Sequence, residues 1–167
     1  MSSKERAEQL IRQNADDVLA YLERRVQPRD DAADLLAEVL LIAWRRRSIC
    51  PADPRQGRMW LFTVARNLLA NHRRGVSRRH ALADRVRQQL AVAQPVAGPP
   101  DRDSPVADAV AALPDDLREL VTLVHWDGFS VTEAGELLGL NSSTARTRHA
   151  AAKSRLRRML QPAPSSS

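Results

Sequence analysis

A proline-rich run near the middle of the chain, Gln94 to Pro105, limits what the rest can fold into. Its sequence, QPVAGPPDRDSP, holds four prolines and a glycine and has almost nothing to bury, so it reads as a flexible linker. Any core must then be built separately on either side of it. A chain of 167 residues leaves room for one small domain on each side.

Before the linker, apolar residues recur at helical spacing. Ile11, Ala15, Val18 and Leu22 share one face of a helix between Ala7 and Val26, which Pro28 closes. Asp30 and Asp31 open a second helix with a broad stripe of Leu35, Leu36, Val39, Leu40 and Ala43, ending at Trp44. Pro51, Pro54 and Gly57 then interrupt regular structure, and the spacing predicts a third helix through Leu61, Val64, Ala65, Leu68 and Leu69 up to Gly75. Trp60 reads as a residue of the shared core, and Arg78 to Ala93 could prolong the helix. No stretch alternates with period two and no internal repeat occurs. The expected fold class is therefore all-α, with two small helical domains joined by a flexible linker.

The most specific signal lies beyond the linker. Ala107 to Leu113 predicts a short helix, and Pro114, Asp115 and Asp116 suit the first turn of the next, whose buried face is Leu117, Leu120, Val121 and Val124. Ser130 and Glu133 have the spacing of a capping box, Ala134, Leu137 and Leu138 supply an apolar face, and Gly139 can take the left-handed conformation that ends a helix. After a turn, Ser142 or Ser143 can cap a last helix reaching to about Met159. This is helix-turn-helix grammar, in which the second helix enters a DNA major groove about 12 Å wide. That helix carries Arg146, Arg148, Lys153, Arg155, Arg157 and Arg158 without an acid, while Ala145, Ala152, Leu156 and Met159 keep a packing face. His149 falls on that packing face and is expected to be partly buried rather than a ligand, because no partner of metal-site type stands one turn away.

Charge placement agrees with two separate anionic contacts. The net charge is +6, no Asp or Glu occurs between Asp53 and Asp84, and none follows Glu136. Cys50 is the only cysteine, which excludes an internal disulfide and suits a reducing, cytoplasmic setting. The N-terminus lacks the apolar core of a signal peptide, and no run is long enough to cross a bilayer, so no membrane partner is expected. No phosphate loop, metal-ligand cluster or nucleophile with a paired base is present. No enzyme activity, catalytic residue, metal, cofactor or small-molecule substrate is expected.

Three segments together resemble one family. DDAADLLAEVLLIAWRR (Asp30 to Arg46) looks like region 2.2 of bacterial extracytoplasmic-function (ECF) sigma factors of the sigma-70 family, and GRMWLFTVARNLLANHRR (Gly57 to Arg74) looks like their regions 2.3 and 2.4. LPDDLRELVTLVHWDGFSVTEAGELLGLNSSTARTRHAAAKSRLRR (Leu113 to Arg158) resembles their region 4. The resemblance implies a division into region 2 (1–93), linker (94–105), region 4 (106–160) and a disordered tail (161–167). It implies core RNA polymerase and promoter DNA as partners. The largest-subunit clamp coiled coil would meet Asp34, Leu35, Glu38, Leu41 and Arg45, and the flap of the second-largest subunit would be a further contact of the chain. Sequestration by an anti-sigma protein is common in that family and would mask both faces.

DNA contacts are expected at Asn67 from the resemblance and at the other residues from their charge and helical position. For the minus-ten element these are Asn67, Asn71 and Arg74, with Arg55 and Arg58 beside a Ser48 to Arg58 loop that, by the resemblance, accepts a flipped base. For the minus-thirty-five element they are Ser143, Thr144, Arg146, Arg148, Lys153 and Arg155, the residues near the helix start being those a docked helix presents to base edges. The sequence departs from the family pattern at Cys50, where aromatic residues are frequent, at Gly135, where alanine is usual, and at Ser143, where glycine is frequent. The rival reading is a dimeric helix-turn-helix repressor or activator whose N-terminal helices dimerise or bind a ligand.

Overall fold

The computed structural model describes residues 1–84 and 103–162, and every regular element among them is helical. They fall into two compact units, within Met1–Pro95 and within Val96–Ser167. The all-helical expectation is met. Most of the linker, up to Arg102, lies outside the described residues, as do 163–167 of the tail.

In the first unit α1 (Ser3–Glu23) starts on a capping box, with Ser2 Oγ accepting from Glu5 N and Glu5 Oε2 accepting from Ser2 N. Its buried side chains are Ala7, Leu10, Asn14, Val18, Tyr21 and Leu22. The stripe is rotated from the expected one: Val18 and Leu22 are buried, whereas Ile11 and Ala15 are half-buried. A polar residue shifts it, because Asn14 sits inside and donates to the Leu10 carbonyl at 2.9 Å. In α2 (Asp31–Arg45) Ala32, Leu35, Val39 and Ala43 are buried. A short 3-10 turn, Arg47–Ile49, follows and ends at buried Cys50.

The third helix, α3, runs from Pro54 to Asp84, starting earlier than the spacing predicts and passing through Gly75 into the Arg78 to Ala93 stretch expected to prolong it. Pro54 does not interrupt it. Asp53 accepts from Gln56 N at 2.8 Å as a cap, and a proline at the first helical position lacks only an amide that would have had no partner. Gly57 lies inside the helix, where a methyl group would come within 3.0 Å of Leu10, so it permits close packing against α1. Gly75 ends nothing either, since its backbone is ordinary helix. Phe62, which the periodicity passed over, joins the core with its ring edge-on to Tyr21 at 5.3 Å. Trp60 is half-buried rather than a core residue.

In the second unit α4 (Pro105–Ala111) begins two residues before its expected start. Ser104 Oγ accepts from Ala107 N at 3.1 Å, so Pro105 belongs to the first turn and not to the linker. The remaining helices are α5 (Asp115–His125), α6 (Val131–Leu137) and α7 (Ser142–Leu160). Val110, Leu113, Leu117, Val121 and Ala152 make the core, with Trp126 and Leu156 packed against it. Burying such aliphatic side chains supplies about 1.5–3 kcal/mol each.

Candidate nucleic-acid interface

The helix-turn-helix is built as its sequence announces. Ser130 and Glu133 exchange both capping hydrogen bonds, at 3.0 and 3.1 Å, to start α6. Gly139 has a φ of 72°, the left-handed value that turns the chain out of a helix. The cap of α7 is neither serine considered above but Asn141, whose Oδ1 accepts from Thr144 N at 2.8 Å. Asparagine reaches the free amide from an extended backbone, and Ser142 and Ser143 fall inside the first turn. Gly135 is where the two helices touch: an added methyl would lie 2.7 Å from the Ala145 Cβ. Alanine here would force the recognition helix away from its support.

Helix geometry then sorts the candidates on α7. Ala145 and Ala152 mark the inward face. Ser143, Arg146, Lys153 and Arg155 are exposed, and Thr144 is half-buried. Arg148 leans inward instead, half-buried, with its Nη1 3.7 Å from an Asp116 carboxylate oxygen on α5. It braces the two helices from the rim and is not aimed outward like Arg146. Thr147 and Ala150, which charge-based reading missed, are exposed on the side opposite Ala145. Counting 100° per residue from Ala145 would have found them. Met159, expected to pack, is 44% exposed.

On α3 a polar face runs along the unit. Thr63, Asn67, Asn71 and Arg74 are all exposed and within about 80° of one another at helical spacing, opposite buried Leu61, Ala65 and Leu69. Arg74 Nη2 donates to the Asn71 Oδ1, which ties the guanidinium to the amide and presents both together. Side-chain amides beside arginine can read base edges and hold phosphate. Arg58 is placed differently from expectation. It lies on α3, donates to Asn14 Oδ1 at 2.9 Å and Asp17 Oδ2 at 2.8 Å, and stacks 4.7 Å over Phe62. It fastens α3 to α1. Arg55 is exposed in the first turn of the same helix, so neither arginine belongs to a loop, which is confined to the residues between α2 and Asp53.

That loop is anchored by Cys50, whose thiol donates to the Pro51 carbonyl at 3.7 Å. Burial pushes the thiol pKa up, partly offset by the Arg6 guanidinium. It is a packed side chain. Ile49 beside it is 63% exposed.

Of the residues expected to meet a protein partner, Asp34, Glu38, Leu41 and Arg45 are exposed along α2, Leu41 to 46%. Leu35 is 5% exposed and holds α2 in the core, so it offers a partner nothing. The second unit has a further recess, a groove of ≈590 Å³ lined by Val106, Val110, Val121, Trp126, Leu156 and Leu160. His125, Lys153 and Arg157 form its polar edge. His149 is half-buried, and its Nε2 lies 3.2 Å from His125 Nε2. Its pKa is lowered, first by burial and then by the charges of His125 and Lys153. Among the described residues no group of three or more metal-type side chains converges, and no helix is long and apolar enough to cross a membrane.

Comparison with known proteins matches both units. The family "Sigma-70 region 2" covers residues 10–79, and "Sigma-70, region 4" covers residues 104–156. The chain is 31% identical over 158 residues to RNA polymerase sigma factor CarQ of Myxococcus xanthus, across 92% of this chain and 88% of that one. It is 32% identical over 157 residues to ECF RNA polymerase sigma factor BldN of Streptomyces coelicolor, covering 90% of this chain and 59% of the relative's length. Among solved structures, the sigma factor RpoE of Bartonella quintana, crystallised with the anti-sigma factor NepR, shares the fold with a TM-score of 0.68. That match is 24% identical and covers 92% of this chain and 95% of the other.

Proposed function

Because the chain belongs to the sigma-70 family, as an ECF RNA polymerase sigma factor, we propose that its two units divide the work of promoter recognition between them. Residues 1–93 bind core polymerase and the minus-ten element, and 106–160 bind the minus-thirty-five element. The division rests on one observation: each unit carries its own exposed polar or cationic helix face, α3 in the first and α7 in the second.

The α7 helix enters the major groove with Ser143, Arg146, Thr147 and Ala150 toward the bases. A hydroxyl serves either as donor or acceptor, an arginine suits guanine, and an alanine methyl suits the methyl of thymine. Lys153 and Arg155 on its flanks hold phosphate, which adds salt-dependent affinity and no sequence information. On α3, Asn67, Asn71 and Arg74 engage the minus-ten element while the loop before Asp53 receives an extruded base. Unstacking one base costs a few kcal/mol, so a site that captures it contributes both selectivity and melting. This needs no hydrolysis, and the chain acts as a non-catalytic initiation factor.

Core polymerase meets the first unit along the exposed side of α2, where Asp34, Glu38, Leu41 and Arg45 suit helix-on-helix contact with the clamp coiled coil. In the second unit the apolar groove with its cationic edge suits an amphipathic helix of the flap that has acidic residues beside its apolar face. Run-off transcription with purified core enzyme on a library of genomic promoters tests the proposal. Defined transcripts are expected only when the chain is present, and their absence on every promoter would reject it.

A further inference from the structure

We infer that the His125–His149 pair makes occupation of the apolar groove in the second unit depend on protons: a helix docks when the pair is neutral and is shed when both imidazoles are charged. The inference rests on the groove being a polymerase contact, as proposed above.

The two rings lie within 18° of parallel with centroids 5.4 Å apart, and the Nε2 atoms are 3.2 Å apart. The difference between those distances is about the width of one imidazole ring, so the rings face each other nitrogen to nitrogen. One proton can lie between them, donated by whichever ring carries Nε2–H to the bare Nε2 of the other. Two protons cannot. When both rings are charged, two N–H groups point at each other and the bond linking the end of α5 to α7 is lost.

The charges that act on His149 are cationic, while the acids nearest His125 in the chain are Glu119 on the same helix and buried Asp127 just beyond it. On α7 the neighbours are Lys153, whose charge acts on His149, and Arg157 on the groove edge. The α4 helix meets the groove with Val106 and Val110, and the α5 carboxylate that reaches α7, Asp116, is engaged by Arg148. His125 itself lines the groove beside Trp126. An apolar helix laid over it removes water from the imidazole, which favours the neutral ring; this desolvation and the lost ring-to-ring bond oppose the attraction of a charged His125 for acids on the docking helix, which Lys153 and Arg157 already meet.

The sign follows. With its pKa below the ordinary 6.5, His149 binds a proton less readily in the folded protein than in the unfolded one. Its neutral form contributes stability that is fully present above the ordinary value and is lost as pH falls through the lower folded value.

The test uses the full-length chain in two measurements from pH 5 to 8: NMR titration of the histidine ring protons, and affinity for purified core polymerase. The His149 ring signals are expected to move at a lower pH in the wild type than in His125→Gln, because the His125 charge is one of the causes that lower the His149 pKa. Affinity should fall about 3- to 10-fold between pH 7.5 and 5.5, the scale of one linked proton, and this slope should flatten in both His149→Gln and His125→Gln. Unfolding curves of both variants establish that they fold. A His149 titration unmoved by His125→Gln would overturn the pairing, and a His149 titration that does move, together with affinity that is flat or rises toward pH 5.5, would overturn the coupling. No binding of wild type at any pH would overturn the polymerase reading and this inference with it; a His149 titration shifted by His125→Gln in the same samples identifies that as the failed step.

Discussion

Gly135 carries the tightest constraint on the helix-turn-helix, and it is a constraint of space rather than of backbone freedom. Gly135→Ala should destabilise the second unit by about 1–3 kcal/mol, the usual cost of forcing a methyl into a packed contact. Adding Ala145→Gly should restore most of the loss, because it removes the atom that clashes. Urea unfolding of the two single variants and the double variant checks this through the coupling energy. Arg146 and Arg148 make a second pair of opposites. Sequence gives both the same charge and the same helix; the ion pair with Asp116 separates them. Arg146→Ala should weaken binding to the upstream element and lower the slope of log affinity against log salt by about 1. Arg148→Ala should also weaken it, but with a loss of stability that Arg146→Ala does not share.

At the scale of elements, caps decide where the working helices begin. Asn141→Ala removes the acceptor for the Thr144 amide and should cost about 0.5–2 kcal/mol, read by thermal unfolding, with α7 fraying at the end proposed to meet DNA. The capping box at Ser130 and the turn at Gly139 were legible because each depends on residue types a few positions apart. The start of α3 was not. Whether Pro54 breaks a helix or opens one depends on the cap before it, and Asp53 looks like any loop acid until its side chain turns back to Gln56. The rotation of α1 was hidden for a related reason: a pattern of apolar residues cannot foresee an asparagine that is buried because Arg58, from a distant helix, hydrogen-bonds it. Leu35 and Leu41 read alike as leucines of α2, yet only packing shows that one is core and the other surface.

For the whole molecule, the proposed division of labour would let two contacts on one duplex gain strength by being joined, since the second becomes intramolecular once the first has formed. Asn67→Ala should therefore leave upstream footprints in place while impairing opening, with about 1–3 kcal/mol of base discrimination lost at the minus-ten element. Unchanged opening would remove Asn67 from the site. The most direct test of the account is permanganate reactivity of promoter thymines with the chain and core polymerase added separately and together. Reactive thymines near the minus-ten element are predicted only when both are present. Tight binding of the chain alone to operators as a symmetric pair, with no reactive thymines when polymerase is added, would contradict it.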